Sequence, residues 1–291
     1  MRVSDDVLKC VFFLAVKATT AGTESFRLVG TGFFVGVPSE RFPQEAQWTY
    51  MATAKHVIEA AKRYGSSIYV RLNTNQGGYE MLEVHGEWTY HENEGVDLAL
   101  GGWQPDLKKY DCRVIPFEMF ALEKAIESES IGVGDEIVMV GLFSQHYGTK
   151  KNYPIVRSGA IAATPGEPLR DDHSGVEYQA YLAEVRSIGG LSGSPVFVAL
   201  TQLMLPSGIS RKREKFVYLL GVVRGHWDIK KVEAAVDFAE DDLGQVNMGI
   251  AIVTPVQYLA EMLMYDVFLK PRRNYDSEVA KTRESKPPSV Q

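Results

Sequence analysis

Short apolar runs broken by glycine dominate this chain, and they set the first expectations for its fold. Residues 11–16 (VFFLAV) form a continuous apolar run of strand length. Residues 25–37 (SFRLVGTGFFVGV) read as a second, Gly-punctuated strand pair. Residues 68–72, 79–85 and 98–100 continue the series at the spacing expected of a barrel or sandwich. Helical periodicity is sparse. Residues 57–63 (VIEAAKR) predict a short helix closed by Gly65, and residues 117–128 read as an amphipathic connector. The clearest helix follows Thr254, expected to cap it, with Pro255 at its first position. Val256, Leu259 and Leu263 then fall at i, i+3 and i+7 on one face.

These elements group into two β-rich halves, residues 1–115 and 131–269, the second ending in the closing helix. Residues 116–130 connect them. Two insertions are expected in the second half. Residues 201–215 end in the basic cluster Arg211, Lys212 and Arg213, and residues 228–245 contain the acidic Glu240, Asp241 and Asp242. From Lys270 onward the chain is charged and Pro-bearing, so residues 270–291 are expected to be a disordered tail.

Composition narrows the possibilities. With 291 residues, 45% hydrophobic, the chain can bury a sizeable core. Its longest apolar run, from Cys10 to Val16, is far short of the roughly 20 residues a membrane-spanning helix needs. Asp5 and Asp6 precede that run where a signal peptide would be basic, which points to a cytoplasmic protein. A net charge of −6 argues against nucleic acid as the main partner. Two cysteines exclude a disulfide scaffold and a Cys-rich zinc site.

One segment carries chemistry. Gly190-Leu191-Ser192-Gly193-Ser194-Pro195 places a serine on a glycine-flanked turn, where a nucleophile's hydroxyl can project and backbone N–H groups can face a developing oxyanion. Thr53-Ala54-Lys55-His56 puts a histidine at the start of a helix, and Asp97 opens the apolar stretch Leu98-Ala99-Leu100. A carboxylate buried there needs a partner, and an imidazole N–H is a suitable one. Each residue alone also fits a Gly/Ser turn, a core histidine or a strand-capping aspartate. Chain order decides between catalytic folds. The α/β-hydrolase elbow requires Gly-x-Ser-x-Gly and the order Ser, Asp, His; here Ser194 stands two after Ser192, and the order is His56, Asp97, Ser192.

With these pieces and Gly30-Thr31-Gly32-Phe33-Phe34, the sequence resembles the trypsin-like (chymotrypsin-fold) serine proteases. The stretches Val133 to Gly141, Arg157 to Ile161 and Gly249 to Ile252 are similar to the bacterial high-temperature-requirement branch. The resemblance covers about residues 8–265 and leaves no room for that branch's PDZ domain. It implies an all-β fold of two six-stranded antiparallel barrels, with the active site in the cleft between them and a C-terminal helix. Ser192 would be the nucleophile, His56 the general base and acid, and Asp97 its orienting partner. The N–H groups of Gly190 and Ser192 would form the oxyanion hole, with no metal or organic cofactor required. Leu191 departs from the digestive enzymes, which carry there an aspartate that pairs with a newly cut N-terminus. Activation by N-terminal cleavage is therefore not expected, and loop ordering or a regulatory protein partner would take its place. Arg186, Arg224 and His226 fall where the family walls its primary specificity pocket. A cationic pocket would favour an acidic P1 side chain; in the alternative the arginines face solvent or pair with Glu184 and other carboxylates. The functions implied are an endopeptidase acting on protein or peptide substrates, a latent peptide-binding module, or an effector protease cutting one partner protein.

Overall fold

The computed structural model describes residues 3–20, 23–65, 67–170, 175–185, 190–200, 217–228 and 247–284. After a one-turn helix α1 (Asp5–Leu8), eight strands build the first lobe. They are β1 (Val11–Thr20), β2 (Thr23–Pro38), β3 (Gln47–Thr53), β4 (Ile68–Asn73), β5 (Tyr79–Glu83), β6 (Thr89–Tyr90), β7 (Ala99–Gly102) and β8 (Ile115–Pro116), with helix α2 (Lys55–Tyr64) after β3. Their order is β5-β4-β1-β2-β3-β7-β6, and β8 adds to β2 in parallel.

The continuous apolar runs are explained by burial on both faces of this sheet, which removes the usual polar alternation. Val11, Phe33, Val35, Tyr50, Ala52, Leu98 and Leu100 face one cluster, while Phe12, Leu14, Phe34, Met51 and Ala99 face another. The second of these also takes Val57, Ile58 and Ala61 from α2. The first extends into the other lobe, where it joins Met139, Val196, Leu219 and Val253, so one apolar body runs between the lobes.

The second lobe contains β9 (Glu136–Gly141), β10 (Ile155–Ala163), the short pair β11 (Leu169–Arg170) and β12 (Glu177–Tyr178), β13 (Tyr181–Glu184), β14 (Pro195–Ala199), β15 (Val217–Asp228) and β16 (Asn247–Pro255). Six of them close a barrel in the order β10-β13-β16-β15-β14-β9. The expectation of two closed six-stranded barrels is thus met in the second lobe. In the first, the end strands β5 and β6 do not pair among the described residues. Helices α3 (Glu123–Glu129), α4 (Val256–Leu263) and α5 (Asp266–Glu284) make the molecule mostly, and not wholly, β.

Four local expectations are corrected. Residues 25–37 belong to one strand, because Gly30 and Gly32 are packing positions: a β-carbon at Gly30 would press on Val57 and one at Gly32 on the Phe12 ring. The 117–128 segment is not one helix. A 3-10 turn at Phe117–Met119 gives way to extended residues, where Ala121 N–H donates to Leu219 O at 2.9 Å, before α3 begins. At α4, Pro255 and not Thr254 occupies the cap position, and the buried Thr254 hydroxyl has no hydrogen-bond partner among the described residues. The tail expected to be disordered from residue 270 is helical to Glu284. Arg272 donates to Tyr50 OH at 3.0 Å and Leu263 O at 2.7 Å, and Asp276 accepts from Ser39 Oγ at 2.7 Å. The insertions expected at 201–215 and 228–245 lie almost wholly outside the described residues.

Candidate active site

His56 is the second residue of α2, delivered there by β3, whose last residue is Thr53. Asp97 sits two residues before β7, the neighbour of β3, so the sheet brings the two together across 41 positions of sequence. The carboxylate receives His56 twice. Oδ1 accepts the backbone N–H at 2.9 Å, and Oδ2 lies 2.6 Å from ring Nδ1. An ionised carboxylate can only accept, so Nδ1 is the donor in this contact, and in the neutral ring that tautomer leaves the lone pair on Nε2. Asp97 is buried while the His56 side chain is 45% exposed, which leaves the ring accessible from outside.

Ser192 lies on a turn between residue 190 and β14. Ser194 N–H closes it on Leu191 O at 2.9 Å, and Gly193 N–H ties it to Val223 O of β15 at 2.9 Å. Gly190 and Gly193 have φ of +101° and +81°, the left-handed region where a side chain is strained. The turn docks on the first lobe. Thr31 N–H donates to Ser192 O at 3.1 Å, and a β-carbon at Gly193 would overlap Thr31 O and Thr53 Oγ1. Over Gly30, Val57 and Ser192 O crowd the same space, which puts the serine beside the histidine's helix. Among the described residues Ser192 Oγ and His56 Nε2 are not hydrogen-bonded to each other.

Leu191, the residue that departs from the digestive pattern, is fully buried. Arg224 on β15 reaches across the cleft to Gly95 O at 2.5 Å, with its guanidinium 4.0 Å over the Tyr178 ring. The Arg186 residue and the His226 side chain lie outside what the structure describes. A residue that the sequence did not single out, Thr31, touches the turn at two points; its only sequence signal was its place between two glycines. Among the described residues no three His, Cys, Asp or Glu side chains converge to hold a metal ion. A cavity of about 850 Å³ lies away from this site, lined by Trp48, Tyr50, Trp103, Phe268 and Tyr275 between the first sheet and α5.

The two strand-built lobes, with an exposed histidine on one and a glycine-flanked serine turn on the other, define a trypsin-like, chymotrypsin-type fold. Comparison with solved structures agrees. The apo protease domain of MamO from Magnetospirillum magneticum is 16% identical over 89% of this chain and 98% of that one, with a TM-score of 0.50. Deg5 (14% identical, 88% of each chain, TM-score 0.47) and the active form of the Rv3671c protease from M. tuberculosis (17%, 88% and 80%, 0.47) also match. At these identities the likeness concerns the fold. No protein-family model and no curated protein sequence matches the chain.

Proposed function

We propose that this protein is a serine endopeptidase using His56, Asp97 and Ser192. Ser192 Oγ adds to the scissile carbonyl carbon while its proton passes to His56 Nε2. The tetrahedral oxyanion is received by the N–H groups of Gly190 and Ser192, where one donor is worth ~3 kcal/mol of barrier. His56 then protonates the leaving amine, the C–N bond breaks, and water repeats the sequence on the acyl-enzyme. Asp97 keeps the imidazole in the required tautomer and stabilises the imidazolium. The observation that carries this reading is the pair of contacts from Asp97 to His56, at 2.9 and 2.6 Å, beside a serine turn docked on the same strands. The substrates are proteins or peptides, and the chemistry asks nothing of a cofactor.

Labelling with a fluorophosphonate probe tests it. Wild type should label, and Ser192→Ala and His56→Ala should not. A folded wild-type protein that stays unlabelled would overturn the endopeptidase and point to a peptide-binding module on the same fold.

A further inference from the structure

Thr31 is completely buried in the middle of β2, yet its side chain is polar and fully engaged. Its hydroxyl donates to Gly190 O at 2.9 Å and accepts from Leu142 N–H at 2.8 Å. Its backbone N–H donates to Ser192 O at 3.1 Å, and its carbonyl accepts from Thr53 Oγ1 at 2.7 Å. One residue of the first lobe therefore holds two carbonyls of the serine turn, one on each side of Leu191.

The consequence is geometric. Fixing Gly190 O sets the plane of the peptide between residues 190 and 191. Fixing Ser192 O sets the plane between 192 and 193. The peptide between them carries the Ser192 N–H, whose direction is confined once both flanking planes are pinned. We propose that Thr31 is a positioning residue for the oxyanion-binding backbone, acting through its hydroxyl. This rests on the endopeptidase reading above. The surroundings are shaped to admit that hydroxyl. A β-carbon at Gly141 would stand 2.9 Å from Thr31 Oγ1, and the glycines on either side of Thr31 leave the opposite face to Val57 and Phe12. A valine has nearly the same shape as threonine, but it would strand one buried donor and one buried acceptor, each of which costs free energy when unpaired.

The test compares Thr31→Val, Thr31→Ser and Thr31→Ala in the full chain by two readouts. One is hydrogen–deuterium exchange of peptides spanning residues 190–194, and the other is the fluorophosphonate labelling rate. The valine variant should exchange in that segment at least ~10-fold faster than wild type and label ~10- to 100-fold more slowly. Serine, which restores the hydroxyl, should stay within about threefold of wild type on both. Should the valine variant not fold, alanine replaces it, with the same expectation. Unchanged exchange in the turn, a wild-type labelling rate in the valine variant, or serine as impaired as valine would each overturn the proposal. If folded wild type does not label, the endopeptidase reading fails, and the exchange comparison alone decides the role of Thr31.

Discussion

Asp97 meets His56 from two directions, and the two donors it receives use both oxygens: backbone N–H to Oδ1 at 2.9 Å and ring Nδ1 to Oδ2 at 2.6 Å. Asparagine has the same volume but offers one oxygen and an NH2. One of the two donors would face another donor, and the ring escapes by moving its proton to Nε2, where it can no longer act as a base. Asp97→Asn should therefore lower the labelling rate by about 10⁴, the scale seen for this change in Ser-His-Asp sites. The melting temperature, measured alongside, should move little. A labelling rate within tenfold of wild type would remove Asp97 from the mechanism.

Leu191 cannot accept an ammonium group, and it is fully buried. An N-terminus created by cleavage has no carboxylate to find at that place. Full-length protein should label at the same rate before and after N-terminal trimming that spares β1. A gain of tenfold or more on trimming would show that activation by cleavage operates after all.

Two thiols make stability fall in alkali. Burial pushes Cys10 from its ordinary value of 9.0 up to about 12, and Cys112 to about 11. Burial likewise raises Tyr50 above its ordinary 10.0. In each case the unfolded chain loses its proton first, so the folded state binds more protons above the unfolded value. Stability is then intact below about pH 9 and declines as pH rises, by at most ~1.4 kcal/mol per unit for each thiol between its unfolded and folded values. Urea unfolding from pH 8 to 11 should show this slope, and Cys10→Ala should flatten it. A slope unchanged in that variant would mean that Cys10 ionises as readily in the folded state.

The last helix is held by polar contacts. Arg272 and Asp276 are 4% and 3% exposed and bond to Tyr50, Leu263 and Ser39, flanked by edge-on contacts of Phe268 with Tyr50 and Tyr275 with Trp48. Arg272→Ala leaves a buried hydroxyl and a carbonyl unpaired and should cost about 2–4 kcal/mol. For a domain of this size that is a drop of roughly 5–15 °C in Tm. The neighbouring Arg273, exposed and paired with Glu40 at 3.5 Å, should tolerate alanine with little change. Equal effects at the two positions would mean that α5 is not anchored where its charges are buried.

That helix also shows why parts of the fold were hard to read in advance. Residues 270–284 lack an apolar stripe and contain Pro271, so their composition matched a solvated tail; what orders them is two buried charges, each with a partner more than 200 residues away, Tyr50 for Arg272 and Ser39 for Asp276. The glycines of residues 25–37 looked like turn residues, although they serve close packing inside a single strand. Local signals fared better where chemistry and packing coincide. The short α2 helix and the glycine-flanked serine turn follow from motifs written in contiguous residues, and the Asp97–His56 contact joins two such motifs across the sheet. Thr31 did not stand out, because a hydroxyl's partners in another lobe leave no trace in its neighbours along the chain.

The serine turn has one closing bond of its own, Ser194 N–H to Leu191 O, and its other ties run outward: the carbonyls of Gly190 and Ser192 are held by β2, Gly193 rests against β2 and β3, and Gly193 N–H bonds to β15. The site therefore exists as a property of the joined lobes, and each half made separately should be chemically silent. On the mechanism proposed above, His56 and Asp97 leave the ribosome before the turn that carries Ser192, and that turn gains its contacts with β2 and β3 only when the second lobe closes against the first.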